Sequence, residues 1–215
     1  LSDIKEPREG IRQFLLWPKQ LEHFSFSDAD TSINHFSTTD FRYLLAPHRR
    51  HLQLLKLESL YSRDRACIDV TDFPELQSIT IPFHDVDCSP EEAASKLLGP
   101  RVSHFGWSWI LNGHIQPGVW AFGEVQADWL ARFVQAARSK KSALRFIHIH
   151  YQPDFWARRY SVDILRQNSE YPFDRIDALA TMLAQQDIKL TYDEPSLTRS
   201  HFQEELKEAL ASTLE

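Results

Sequence analysis

The chain is 215 residues long, with 25% charged and 42% hydrophobic residues and a formal net charge of -6. That length suits one well-buried core or one short run of stacked repeats, and the acidic balance offers no global field for nucleic acid or an anionic membrane surface. No apolar run reaches the ~18 residues of a membrane span, the opening residues do not resemble a signal peptide, and Cys67 and Cys88 stand alone without CxxC spacing. Lone cysteines point away from a cysteine zinc site or a disulfide framework and toward a reducing compartment, cytoplasmic or nuclear.

In chain order, Ile11, Phe14, Leu15 and Trp17 are spaced like the tail of a helix, and an apolar triplet of the form Leu-x-x-Leu-x-Leu follows at Leu21, Phe24 and Phe26. Asp40 is placed to cap a short helix through Phe41, Leu44 and Leu45 that Pro47 ends, before the second triplet at Leu52, Leu55 and Leu57. The third triplet is Leu76, Ile79 and Ile81. Ser89-Pro90-Glu91-Glu92 then combines an N-cap, a proline at the first helical position and a capping-box glutamate, and Gly99-Pro100 supplies the stop. Val102, Phe105 and Trp107 form the fourth triplet.

Trp129, Leu130, Phe133, Val134 and Ala137 recur at helical spacing ahead of the fifth triplet, Leu144, Ile147 and Ile149. Asp174 is expected to open a helix carrying Ile176, Leu179, Ala180 and Leu183, and Ile188 and Leu190 make a looser sixth copy. Ser200-His201-Phe202-Gln203 reads as a capping box for a last helix with Leu206, Leu210 and Leu214 on one face.

Successive triplets are 31, 24, 26 and 42 residues apart. Repetition at this period is the signature of a solenoid, with typical leucine-rich repeats of roughly 20–29 residues, so the long step requires an insertion, assigned to residues 110–123. A second is assigned to 151–173. The expected fold is α/β: a right-handed solenoid over residues 1–195 with about six repeats, parallel strands on the concave side and helices outside, and a capping helix over 196–215.

The segments Gln20–Phe26, His51–Leu57, Phe73–Ile81 and Ala143–Ile149 resemble the leucine-rich-repeat superfamily, in particular the irregular repeats behind the F-box of many fungal F-box proteins. The resemblance implies the substrate-recognition region of a ubiquitin-ligase receptor, with a protein or peptide target on the concave face and an adaptor bound through an F-box upstream of Leu1. The sequence opens without a methionine, in keeping with an excised segment. Two features depart from regular repeats. The positions where an asparagine or cysteine would bond the turn backbone hold Ala29, Leu60, His84, Ile110 and Gln152, and no F-box lies within these residues.

In such strands the apolar positions point into the solenoid and the intervening ones to the opposite face. This assigns the partner-binding surface to His23, Lys56, Glu58, Thr80, His104, Phe146, His148, His150 and Lys189, with Ser25, Leu54, Ser78, Gly106 and Asp187 among the remaining positions. Trp107 is a core residue by its place in the triplet. Trp109, Trp120 and Trp129 are expected to pack an insertion on the solenoid, with Trp120 and Trp156 the alternative anchors for a partner.

No catalytic residue, cofactor or metal is assigned. Six glycines form neither a phosphate-binding loop nor a dinucleotide fingerprint, and no Gly-x-Ser-x-Gly or HExxH motif occurs. The competing readings are a free-standing interaction scaffold and a metal-dependent hydrolase. In the latter, His148 and His150 would be paired ligands of one strand, completed by His104 and the His84-Asp85-Val86-Asp87 segment.

Overall fold

In a computed structural model of the chain, the described residues are 8–27, 38–58, 67–82, 88–109, 122–151, 171–193 and 198–211. They form α1 (Arg8–Leu15), β1 (His23–Ser27), α2 (Thr38–Leu44) with a 3-10 turn at Ala46–His48, β2 (Leu54–Glu58), β3 (Ser78–Pro82), α3 (Pro90–Leu97), β4 (His104–Ser108), α4 (Glu124–Ser139), β5 (Phe146–His150), α5 (Pro172–Ala184), β6 (Lys189–Tyr192) and α6 (Arg199–Ala211). The six strands make one all-parallel sheet whose order is the chain order, β1 to β6. No helix among the described residues is long and apolar enough to cross a membrane.

The triplets explain this order. Each strand buries the last two members of its triplet, so Phe24 and Phe26, Leu55 and Leu57, Ile79 and Ile81, Phe105 and Trp107, and Ile147 and Ile149 all enter one core. The first member, two residues before the strand, turns the chain inward: Leu52, Leu76, Val102 and Leu144 are buried, and Leu21 is partly so. Helices cover that face alone in every ring contact between a helix and a triplet. Phe41 of α2 packs 4.8 Å from Phe26, Phe133 of α4 lies 4.8 Å from Phe105, and Trp129 lies 5.1 Å from Trp107.

A recurrent backbone bond sets the register. The carbonyl just before one strand accepts two successive N–H groups at the start of the next: Glu22 from Gln53 and Leu54, Gln53 from Gln77 and Ser78, Gln77 from Ser103 and His104, and Ser103 from Arg145 and Phe146, all at 2.7–3.1 Å. Backbone groups at these turns are thereby satisfied without side chains.

Several helix ends differ from the expected ones. Asp40 is the third residue of α2, not its cap. In α3 the Ser89 hydroxyl does accept from the Glu92 N–H at 3.1 Å, but the Glu92 carboxylate pairs with Lys96 one turn on, at 2.6 Å. A lysine four residues ahead on an exposed face competes successfully for that carboxylate. Gly123, assigned to an insertion, is the N-cap of α4, its N–H donating to Gln126 Oε1 at 2.9 Å, and the preceding Phe122 is core. Pro172, not Asp174, begins α5. For α6 the cap is Thr198, whose hydroxyl accepts from the His201 N–H at 3.4 Å, because Ser200 already lies inside the first turn.

Asp187 is also displaced from its expected place. Helices α4 and α5 end alike, with a residue in the left-handed region (Lys141 at φ 55°, Asp187 at φ 56°) and the next N–H returning five residues to Ala137 or Leu183. Asp187 is therefore a turn residue, and Lys189, paired with Phe146, is the first of its strand on the open face. Trp107 and Trp109 are buried at 2% and 3% exposure beside Trp129 and Phe122. Trp120, Trp156 and the His84–Asp87 segment lie outside the described residues, as does most of both expected insertions.

Candidate functional site

Strand alternation sends every second side chain to the face away from the helices, and parallel register aligns these into rows. The first row is His23, Leu54, Ser78, His104, Phe146 and Lys189, and the second is Ser25, Lys56, Thr80, Gly106, His148 and Thr191. Two residues further along each strand, Ser27 pairs with Glu58, Pro82 with Ser108, and Ser108 with His150. The residues expected on one surface thus share one sheet face.

They do not form one continuous exposed surface. His23 at the β1 edge and Lys189 at the β6 edge are exposed and far apart in strand order. His104 and Phe146 stack with ring centroids 4.5 Å apart and planes 12° apart, leaving Phe146 42% exposed. Part of the face is closed: Thr80 in mid-strand and Glu58 and Ser108 at the ends of their strands are buried. This corrects the expectation that Glu58 and Thr80 are openly available. Lys56 Nζ lies 3.1 Å from Glu58 Oε1 as an ion pair. Thr80 leans across the strand onto Gly106, where an added Cβ would come 2.3 Å from its Oγ1. Glycine is required there because the neighbouring threonine fills the space of its missing side chain.

Among the described residues, a cluster of titratable groups lies on β5 and just past the end of β6. His148 and His150 sit on the same side of β5 with ring centroids 4.2 Å apart. Asp193 lies between them, its Oδ1 2.9 Å from His148 Nε2 and its Oδ2 3.5 Å from His150 Nδ1. Three further contacts fix this arrangement. Thr191 Oγ1 is 2.8 Å from His148 Nδ1, the Tyr151 N–H donates to Asp193 Oδ2 at 3.1 Å, and the Tyr151 hydroxyl donates to the Asp193 carbonyl. The β5 backbone is held from the β4 side, since the Trp109 N–H donates to the His150 carbonyl at 2.7 Å.

Desolvation and the adjoining His148 push the His150 imidazole down to about 4; Asp193 opposes this shift and the Lys56 ammonium adds to it. His150 is therefore neutral at pH 7, a state in which a ring nitrogen can accept a hydrogen bond or ligate a cation.

Asp193 is the member of this cluster that sequence reasoning missed. Reading the sixth strand only through Tyr192 stopped one residue short, whereas the alternation that places Thr191 on the open face places Asp193 there too. The group completing the histidine pair is this carboxylate and not His104, which is committed to Phe146 and to Ser103 Oγ at 2.9 Å. Cys67 is no activated nucleophile: it is 4% exposed, and its hydrogen bond with Cys88 together with desolvation pushes its thiol up. No protein-family model matches the chain, and no curated protein matches it.

Proposed function

We propose that the chain is a protein-recognition module that grips an extended segment of its partner across the open sheet face. The observation that carries this reading is the unequal covering of the sheet. One face is sealed by helices, while the other displays His104, Phe146, Lys56 and Lys189 in aligned rows with no described helix packed against them. Two cations, an imidazole and a half-exposed aromatic in strand register suit a peptide carrying acidic and apolar side chains at alternate positions.

In this reading the sheet is the concave side of a right-handed, leucine-rich-repeat-like solenoid. Sequential strand order supports it, as does the carbonyl that recurs before successive strands, because both are what stacked repeats produce. The resemblance to fungal F-box proteins extends the proposal to a substrate receptor of a ubiquitin ligase, joined to its adaptor through an F-box encoded upstream of Leu1.

The test is capture of partners from native extract by the wild-type chain and by a Lys56→Glu, His104→Ala, Phe146→Ala variant whose circular dichroism and melting remain those of a folded protein. Loss of a specifically captured partner is expected; equal capture by the variant overturns the recognition face. Co-purification of the full gene product with a ligase adaptor tests the second part, and its absence leaves a free-standing scaffold.

A further inference from the structure

We propose that His148, His150 and Asp193 form a site for a divalent cation of the zinc class, held by two imidazole nitrogens and one carboxylate, with a remaining position open to water. One ligand atom from each of the three residues lies within 4.8 Å of the others. Asp193 Oδ1 lies 2.9 Å from His148 Nε2 and Oδ2 3.5 Å from His150 Nδ1, so turning the carboxylate to present one oxygen to both rings approaches the edge of about 3.3 Å expected for a tetrahedron with bonds of 2.0–2.1 Å. Small side-chain rotations therefore bring all three groups onto one ion.

Rigid elements deliver the ligands. The two-residue period of β5 puts both imidazoles on one face, and the same period carried past β6 puts the carboxylate against them. The Asp193 N–H donates to the Ile149 carbonyl at 3.2 Å and the Tyr151 N–H holds the carboxylate, so the third ligand is fixed at backbone and side chain alike.

The surroundings are those of a metal ligand set as well. Thr191 Oγ1 meets His148 Nδ1, and a hydroxyl can either donate or accept. His148 can thus place its proton on Nδ1, give it to Thr191 and present the Nε2 lone pair to a cation, as metal-binding histidines do with an orienting partner on the other nitrogen. Two nitrogens and one oxygen favour zinc-class ions over magnesium or calcium, which take mostly oxygen donors. Access is open, because the side chains of His148, His150 and Asp193 remain 33%, 26% and 37% exposed.

In the absence of an ion, the carboxylate between two imidazoles is satisfied by hydrogen bonds, so metal binding and folding are separable measurements. The whole chain, stripped with chelator, is titrated with Zn2+ against a chromophoric competitor and with Co2+ in the visible range. The expected result is one ion per chain, and Co2+ bands of the intensity of four-coordinate sites. Asp193→Asn and the double variant His148→Gln, His150→Gln should each lose more than about 100-fold in affinity, and Thr191→Val roughly 10–100-fold, the range for a group that orients a ligand.

Thermal melting accompanies each variant. Should the double variant fail to fold, Asp193→Asn decides alone, since the amide keeps the shape and the backbone contacts but loses the charge. Absence of stoichiometric binding by the wild-type chain, or unchanged affinity in Asp193→Asn, overturns the site.

Discussion

Strand β5 shows the two sides of this molecule within five residues. Ile147 and Ile149 are fully buried in the core, whereas His148 and His150, which alternate with them, stay partly in water and meet polar groups, Thr191 and Asp193 among them. The inner side is held by nondirectional burial, in which any well-fitting apolar side chain contributes. The outer side is held by hydrogen bonds and ion pairs that depend on which atom faces which. Substitutions on the inner side should therefore change stability, and those on the outer side should change chemistry at little cost to the fold.

The largest effect expected is on the inner side. Ile149→Ala should destabilise the protein by about 2–5 kcal/mol, because a fully buried side chain leaves a cavity that a well-packed core only partly closes. Denaturant unfolding measures it, and a cost below that range would mean that the helix layer yields more readily than the burial implies.

The next is an exception on the outer side. Gly106→Ala should cost about 1–3 kcal/mol, since the new methyl must displace Thr80. Thr80→Ala in the same background should recover part of that loss by removing Oγ1 and Cγ2, leaving the tight contact to the Thr80 Cβ. If Gly106→Ala is silent in thermal melting, the centre of the open face is looser than its packing indicates.

Smaller again is the coupling between His104 and Phe146. A double-mutant cycle to alanine should give about 0.5–1.5 kcal/mol for the stacked pair. Smallest is His23→Ala at the exposed β1 edge, expected to lie within about 0.5 kcal/mol of wild type in the same assay. A large effect there would erase the distinction between the two sides of the sheet.

Much of the scaffold was legible in the chain. The apolar triplets marked the buried positions of the first five strands because burial on one face imposes a period of two within each strand, and repetition imposes it again in the next. Ser89-Pro90 fixed the start of α3 because the cap is a local hydrogen bond. The start of α6 was less legible: Thr198 and Ser200 both carry a hydroxyl suited to capping, and it is Thr198 that accepts from the His201 N–H. The Glu92 side chain was misassigned for a related reason, because Lys96 offered it a charge as near as the backbone N–H.

The site divided in the same way. The parity rule placed His148 and His150 together on the face opposite Ile147 and Ile149 from sequence alone. That Glu58 and Thr80 are buried on that face, that Gly106 is filled by Thr80, and that Asp193 lies between the two histidines were decided by contacts between strands many residues apart in the chain. Local alternation and capping fix which way a side chain points, because they depend on the backbone within a few residues. Which groups then meet depends on strand register and on the neighbours that exclude water, and these exist only once the sheet has assembled.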